Sequence, residues 1–203
     1  MRQFRREPLT GVALLIISSA LLAPATVLAH NPAGVAGGFA SGFMHPLTGI
    51  DHILAMVAVG IWGAQLGAPA IWALPVAFPL VMSVGGAMGV RGVPLMGVEI
   101  GIAASALLLG LMIFSEARPP LVAAALLVGF FAIFHGYAHG TELPHAANPL
   151  AYGAGFVIAT GMLHVSGIGL GLVHRWPKGA RALRLVGAGI SLAGLFLLVH
   201  HFS

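Results

Sequence analysis

The stretch His45–Trp62, HPLTGIDHILAMVAVGIW, decides how the rest of the chain is read. Two histidines and an aspartate open a segment whose other residues suit a lipid bilayer. An ionisable side chain in such a segment costs roughly 2.5–3.5 kcal/mol on insertion, so it faces a polar cavity or a partner rather than lipid. A second stretch, FHGYAHGTELPH from Phe134 to His145, repeats the anomaly far along the chain. The expectation is that the two stretches meet in space and bind a divalent transition-metal ion. The remaining segments would hold them together across a membrane.

Composition supports that frame. Of 203 residues, 59% are hydrophobic and 7% charged, with a mean hydropathy of +1.00. A soluble domain carries about 25% charged residues, so the chain reads as an all-α integral membrane protein. The absence of cysteine excludes disulfides, thiolate metal sites and Fe–S clusters. Any metal must then be held by histidine, carboxylate or backbone oxygen. The basic residues do not form an interleaved basic and aromatic surface. Arg2, Arg5 and Arg6 lie at the N-terminus, and Arg175, Lys178, Arg181 and Arg184 sit between two apolar segments. Those are orientation signals for a membrane, and nucleic acid is excluded as a partner.

Residues 1–29 read as a secretory signal peptide. Three arginines precede an apolar run from Gly11 to Leu22, followed by Pro24 and small residues ending at Ala29. Cleavage there would expose His30 as the mature N-terminus. Six apolar spans are expected in residues 30–203, near 45–66, 69–90, 94–114, 119–139, 150–174 and 181–202. Each approaches the ~20 helical residues that cross ~30 Å of hydrocarbon. Pro75 and Pro79 are expected to kink the second span, and abundant glycine would allow close helix packing. With the mature N-terminus outside, Arg118, Arg175, Lys178, Arg181 and Arg184 fall in cytoplasmic loops and only Arg91 outside, in accord with the positive-inside rule.

This topology gathers most candidate ligands in one half of the membrane. His45, Asp51 and His52 open the first span, Glu99 lines a cavity near the start of the third, and His135 and His139 end the fourth. Glu142 and His145 follow in an outer loop. His135 and His139, at i and i+4, share a helical face and can clasp one ion. His45 and His52, at i and i+7, are ~10.5 Å apart along an ideal helix. That spacing leaves two successive sites, or a broken start that folds His45 inward. Pro46 suggests a helix beginning just after His45. Asp51 suits the fixing of a histidine tautomer from behind. His30 and His145 suit ion collection at the outer mouth, and His164 a relay deeper in the fifth span.

The two stretches HPLTGIDHILAMVAVGIWGAQLG and FHGYAHGTELP together resemble the HupE/UreJ family, small bacterial membrane proteins associated with nickel supply to hydrogenase and urease. The resemblance spans essentially the whole mature chain. It implies an inner-membrane secondary permease, not an enzyme, that takes Ni²⁺, or Co²⁺, from periplasm to cytoplasm as its transported substrate, with no tightly bound cofactor. Maturation proteins of nickel enzymes would be its partners. By motif matching it places the metal role on His45, Asp51, His52, His135, His139 and Glu142. Two rivals remain: an intramembrane metal-dependent hydrolase, which the absence of H-E-x-x-H disfavours, and a non-transporting metal sensor or delivery accessory. No Walker motif is present, so nucleotide hydrolysis by that route is excluded.

Overall fold

The structure, a computed structural model, describes residues 35–143 and 148–202, and among these every regular element is helical. The expected signal peptide, residues 1–29, lies outside the described residues. In chain order the helices are α1 (Val35–Thr48), α2 (Ile50–Leu66), α3 (Ala70–Val90), α4 (Val98–Phe114), α5 (Leu121–Thr141), α6 (Pro149–Gly171) and α7 (Pro177–His201). A 3₁₀ turn, Leu172–Arg175, joins the last two.

Prolines and glycines set most boundaries. Pro149 opens α6 at its first turn, and the Asn148 side chain caps it, accepting from the Leu150 and Ala151 N–H groups at 3.0 Å each. Gly97, left-handed at φ 71°, holds the chain out of the helix until Val98. α4 is therefore 17 residues long and begins later than the expected third span.

The expected span 45–66 differs most. Pro46 does not start a helix; it lies inside α1 near its end. The chain breaks at Gly49, and Gly38–Thr48 meets Ile50–Leu66 at 80°. The Thr48 hydroxyl donates to the His45 carbonyl at 2.8 Å, closing the last turn of α1 just before the break. Among the described residues, four helices are long and apolar enough to cross a bilayer: Ala70–Val90, Leu121–Thr141, Pro149–Arg175 and Pro177–His201. The bent pair counts as a fifth. Pro75 and Pro79 lie inside α3.

α2 is the axis of the bundle. Eleven of its 17 residues are buried, among them Met56, Val59, Ile61 and Trp62. A helix apolar on all sides belongs in the interior, and α2 touches α1, α3, α4, α6 and α7. At its far end Trp62 Nε1 donates to the Ala117 carbonyl at 3.0 Å and Gln65 Nε2 to the Ile113 carbonyl at 3.3 Å.

Around that axis α3 packs on α5, α4 on α7, and α6 on both α1 and α2. Glycines make these approaches close. A Cβ on Gly136 or Gly140 of α5 would strike the α3 backbone at Met82 or Gly86. A Cβ on Gly60 of α2 would strike α6 at His164. Small residues at such spacing let apolar helices touch backbone to backbone. Outward, Trp72, Val76, Leu80 and Val84 run along α3 at intervals of four, each more than half exposed. Soluble monomers rarely carry so continuous an exposed apolar stripe. The chain is a multi-pass membrane protein.

Candidate metal site

The bend at Gly49 and the C-terminal turn of α5 meet at one end of the bundle. His45 occupies the last turn of α1, and Asp51 and His52 the first turn of α2. His135 and His139 lie on the final turns of α5, and Glu142 follows as its C-cap. Because the chain turns at Gly49, His45 and His52 no longer stand a helix length apart. Both imidazoles pack on His139, with ring centroids 4.7 Å and 4.3 Å away. Of the two arrangements the spacing left open, the broken start is the one observed.

One donor of each of His45, His139 and Glu142 lies within 4.8 Å of the other two. His45 Nε2 is 3.1 Å from Glu142 Oε2. Nitrogen and oxygen ligands sit about 2.0–2.2 Å from a Zn²⁺-sized ion, so small side-chain rotations close this trio around one cation. Glu142 is exposed, His45 half-buried and His139 buried, so the trio runs from the surface inward.

Behind it the histidines continue as a row. His52 packs on His135 as well as His139, the first at 4.9 Å. Three rings, those of His52, His135 and His164, each have one nitrogen anchored by a neighbour. Asp51 Oδ1 accepts from His52 Nδ1 at 2.9 Å. The Met56 carbonyl accepts from His164 Nδ1 at 2.8 Å. His135 is held through Ser105, whose Oγ lies 2.6 Å from the Ile102 carbonyl and 2.9 Å from His135 Nε2. A carbonyl only accepts, so the hydroxyl proton goes to Ile102 and His135 Nε2–H donates to Oγ.

The remaining nitrogens, His52 Nε2, His135 Nδ1 and His164 Nε2, are buried lone pairs with no hydrogen-bond partner among the described residues. Both nitrogens of His139 are likewise unpartnered. Buried polar atoms are normally satisfied, and metal-binding imidazoles use the same arrangement, one nitrogen anchored and the other free. An apolar pocket of about 400 Å³ between α3 and α6, lined by Met82, Gly86, Tyr152 and Phe156, reaches His139 from the side.

The HupE / UreJ protein family profile matches residues 18–197. The chain belongs to that family. It is also 46% identical to Protein HupE of Rhizobium leguminosarum bv. viciae over 173 residues, which are 85% of this chain and 91% of that protein. No solved structure matches it.

Within this HupE/UreJ bundle, not every expected ligand joins the row. His135 Nε2 is held by Ser105 and its Nδ1 is free, while His139 also meets His45 and Glu142. Glu99 lies in the first turn of α4 and is exposed, rather than lining an interior cavity, since α4 starts only at Val98. His164 is buried on α6, past the middle of that helix and far from its Pro149 end. His30 and His145 lie outside the described residues. Sequence reasoning missed Ser105, Tyr152, Phe156 and Thr160. The last three precede His164 at intervals of four along α6, a same-face pattern that was available to find them.

Proposed function

We propose that this chain is an inner-membrane secondary permease that takes up Ni²⁺, with Co²⁺ as the alternative cargo, from periplasm to cytoplasm for metalloenzyme maturation. The observation that carries the reading is the donor trio of His45, His139 and Glu142, backed by the row of free imidazole nitrogens. A carboxylate and two imidazoles suit a late first-row divalent ion. The ligands come from two helices, α1 and α5 with its C-cap, at the bundle's end, open to the outside through Glu142. Such an array binds loosely enough to release, as transport requires. Exposed Glu99 sits at the same end and adds a second carboxylate to draw cations in.

In this reading the mature N-terminus is periplasmic after loss of residues 1–29, and six crossings follow, with α1–α2 as a bent first span and 17-residue α4 as a short third. The basic residues at positions 175–184 then face the cytoplasm. Entry of a divalent cation is driven by the membrane potential, worth ~4.6 kcal/mol per 100 mV, inside negative.

Purified chain in proteoliposomes loaded with a metal-sensitive dye tests it. Ni²⁺ entry that disappears in His139→Ala supports the permease. Binding without entry supports the sensor or delivery protein, and metal-dependent hydrolysis of lipid or peptide supports the enzyme.

A further inference from the structure

We infer that the bundle holds a second cation station, deeper than the first and formed by His164 Nε2 with the hydroxyl of Thr160. It takes the same divalent cargo in a partly hydrated state, and so rests on the permease reading while adding a site to it.

The geometry is specific. Thr160 and His164 are four residues apart on α6, so both side chains issue from one face. Both are almost wholly buried, Thr160 at 0% and His164 at 1% exposure. Neither Thr160 Oγ1 nor His164 Nε2 has a hydrogen-bond partner among the described residues. The other ring nitrogen of His164 donates to the Met56 carbonyl at 2.8 Å, which fixes the tautomer and leaves Nε2 as a lone pair. The close crossing of α2 and α6 at Gly60 and Gly167 brings that carbonyl within reach.

The pair continues the line of imidazoles. The ring of Phe78, from α3, packs 5.6 Å from His135 and 5.5 Å from His164 on centroids. His164 therefore stands one aromatic ring beyond the innermost histidine of the outer row. A purely structural role does not account for it. An anchoring bond to Met56 needs only one ring nitrogen, and an unpartnered buried hydroxyl weakens a fold rather than supporting it. One imidazole and one hydroxyl, completed by water, bind a cation weakly. Weak, successive sites are what a permeating ion needs.

Two measurements on the full chain test this. The first is a Co²⁺ titration of detergent-purified protein followed by visible absorption. The second is the initial rate of Ni²⁺ entry into proteoliposomes. Thr160→Val is near-isosteric and removes a hydroxyl with no partner, so the fold is retained; His164→Ala is the stronger lesion, checked by thermal melting. The expected result is two Co²⁺ equivalents in the wild type, one tight and one weak. In Thr160→Val the weak one loses at least fivefold in affinity, the tight one stays within twofold, and Ni²⁺ entry slows at least fivefold. A single equivalent in the wild type overturns the proposal. So does a weak equivalent and an entry rate unchanged in both variants. If the wild type binds a second equivalent that the variants lose, yet admits no Ni²⁺, the permease reading falls and the inner station stands.

Discussion

The imidazole of His45, on the last turn of α1, stands edge-on to that of His139, near the end of α5, with ring centroids 4.7 Å apart and an interplanar angle of 86°. Neither helix carries a complete site. α1 supplies one imidazole, α5 and its C-cap supply a second imidazole and the Glu142 carboxylate, and the three donors come together only when the bundle is assembled.

His139 separates binding from stability. Both its nitrogens are buried without partners, so the metal-free fold gains nothing from them. His139→Leu is expected to lower Ni²⁺ affinity at least tenfold while the melting temperature of the metal-free protein holds or rises. Calorimetric titration and thermal melts of the same preparation check both halves.

Ser105 acts through His135. Removing the hydroxyl in Ser105→Ala frees His135 Nε2 and lets the ring proton exchange between nitrogens. Loss of such a supporting partner costs about 10–100-fold in metal affinity. A ¹⁵N-histidine spectrum reads the tautomer directly. The expected change is a mixed protonation signature at His135 where the wild type has its proton on Nε2.

Acid should abolish binding, because protons and the metal compete for the same imidazole lone pairs. Affinity and Ni²⁺ uptake are therefore expected to fall as the pH is lowered, with protons taken up by the imidazoles as the metal leaves. Ni²⁺ uptake that stays flat down to the pH at which the fold is lost contradicts a histidine-lined route.

Close helix contact is a separate dependency. A side chain at Gly136 would run into the Met82 carbonyl of α3. Gly136→Leu must push α3 from α5, and overpacking of this kind costs about 1–3 kcal/mol or more. The melting temperature should drop, with the metal site lost as His135 and His139 shift on the displaced helix.

Gly49 is tighter than its backbone angles require. Its φ of −88° and ψ of 115° suit any residue, but a Cβ there would sit 2.9 Å from Asp51 Oδ1 and 3.0 Å from His52 Nδ1. Gly49→Val is expected to disrupt the Asp51–His52 pair and reduce Ni²⁺ affinity about tenfold or more, within the range for lost supporting contacts. Circular dichroism should show the helices unchanged.

The helical class and the convergence of the two histidine-bearing stretches were legible because their chemistry conflicts with their surroundings: histidine and aspartate in an apolar segment demand an explanation. The bend was not. Pro46 favours a helix start on local grounds, yet here it lies inside the last turn of α1, whose crossing on α6 at Gly42 and Gly155 holds that helix in place. Such packing is invisible in local sequence. Ser105 was hidden for a different reason. A single serine in AASALLLG matches the small residues common in membrane helices, and only the approach of His135 from α5 gives its hydroxyl a task. Glu99 was read too deep because Gly97 gave no sign of the left-handed turn that delays α4.

The anchored protons of His52, His135 and His164 all point away from the row, toward Asp51, Ser105 and Met56. What these rings turn inward is electron density alone, and the unpartnered Gln65 Oε1 near the far end of α2 is an acceptor too. Beside them stand buried, unpartnered hydroxyls on Tyr152 and Thr160, and His139 carries at least one N–H. In the permease reading the lone pairs of the anchored rings meet a cation's charge, and these few donors meet the oxygens of the water it carries, so an aquated ion is matched both at its centre and at its shell.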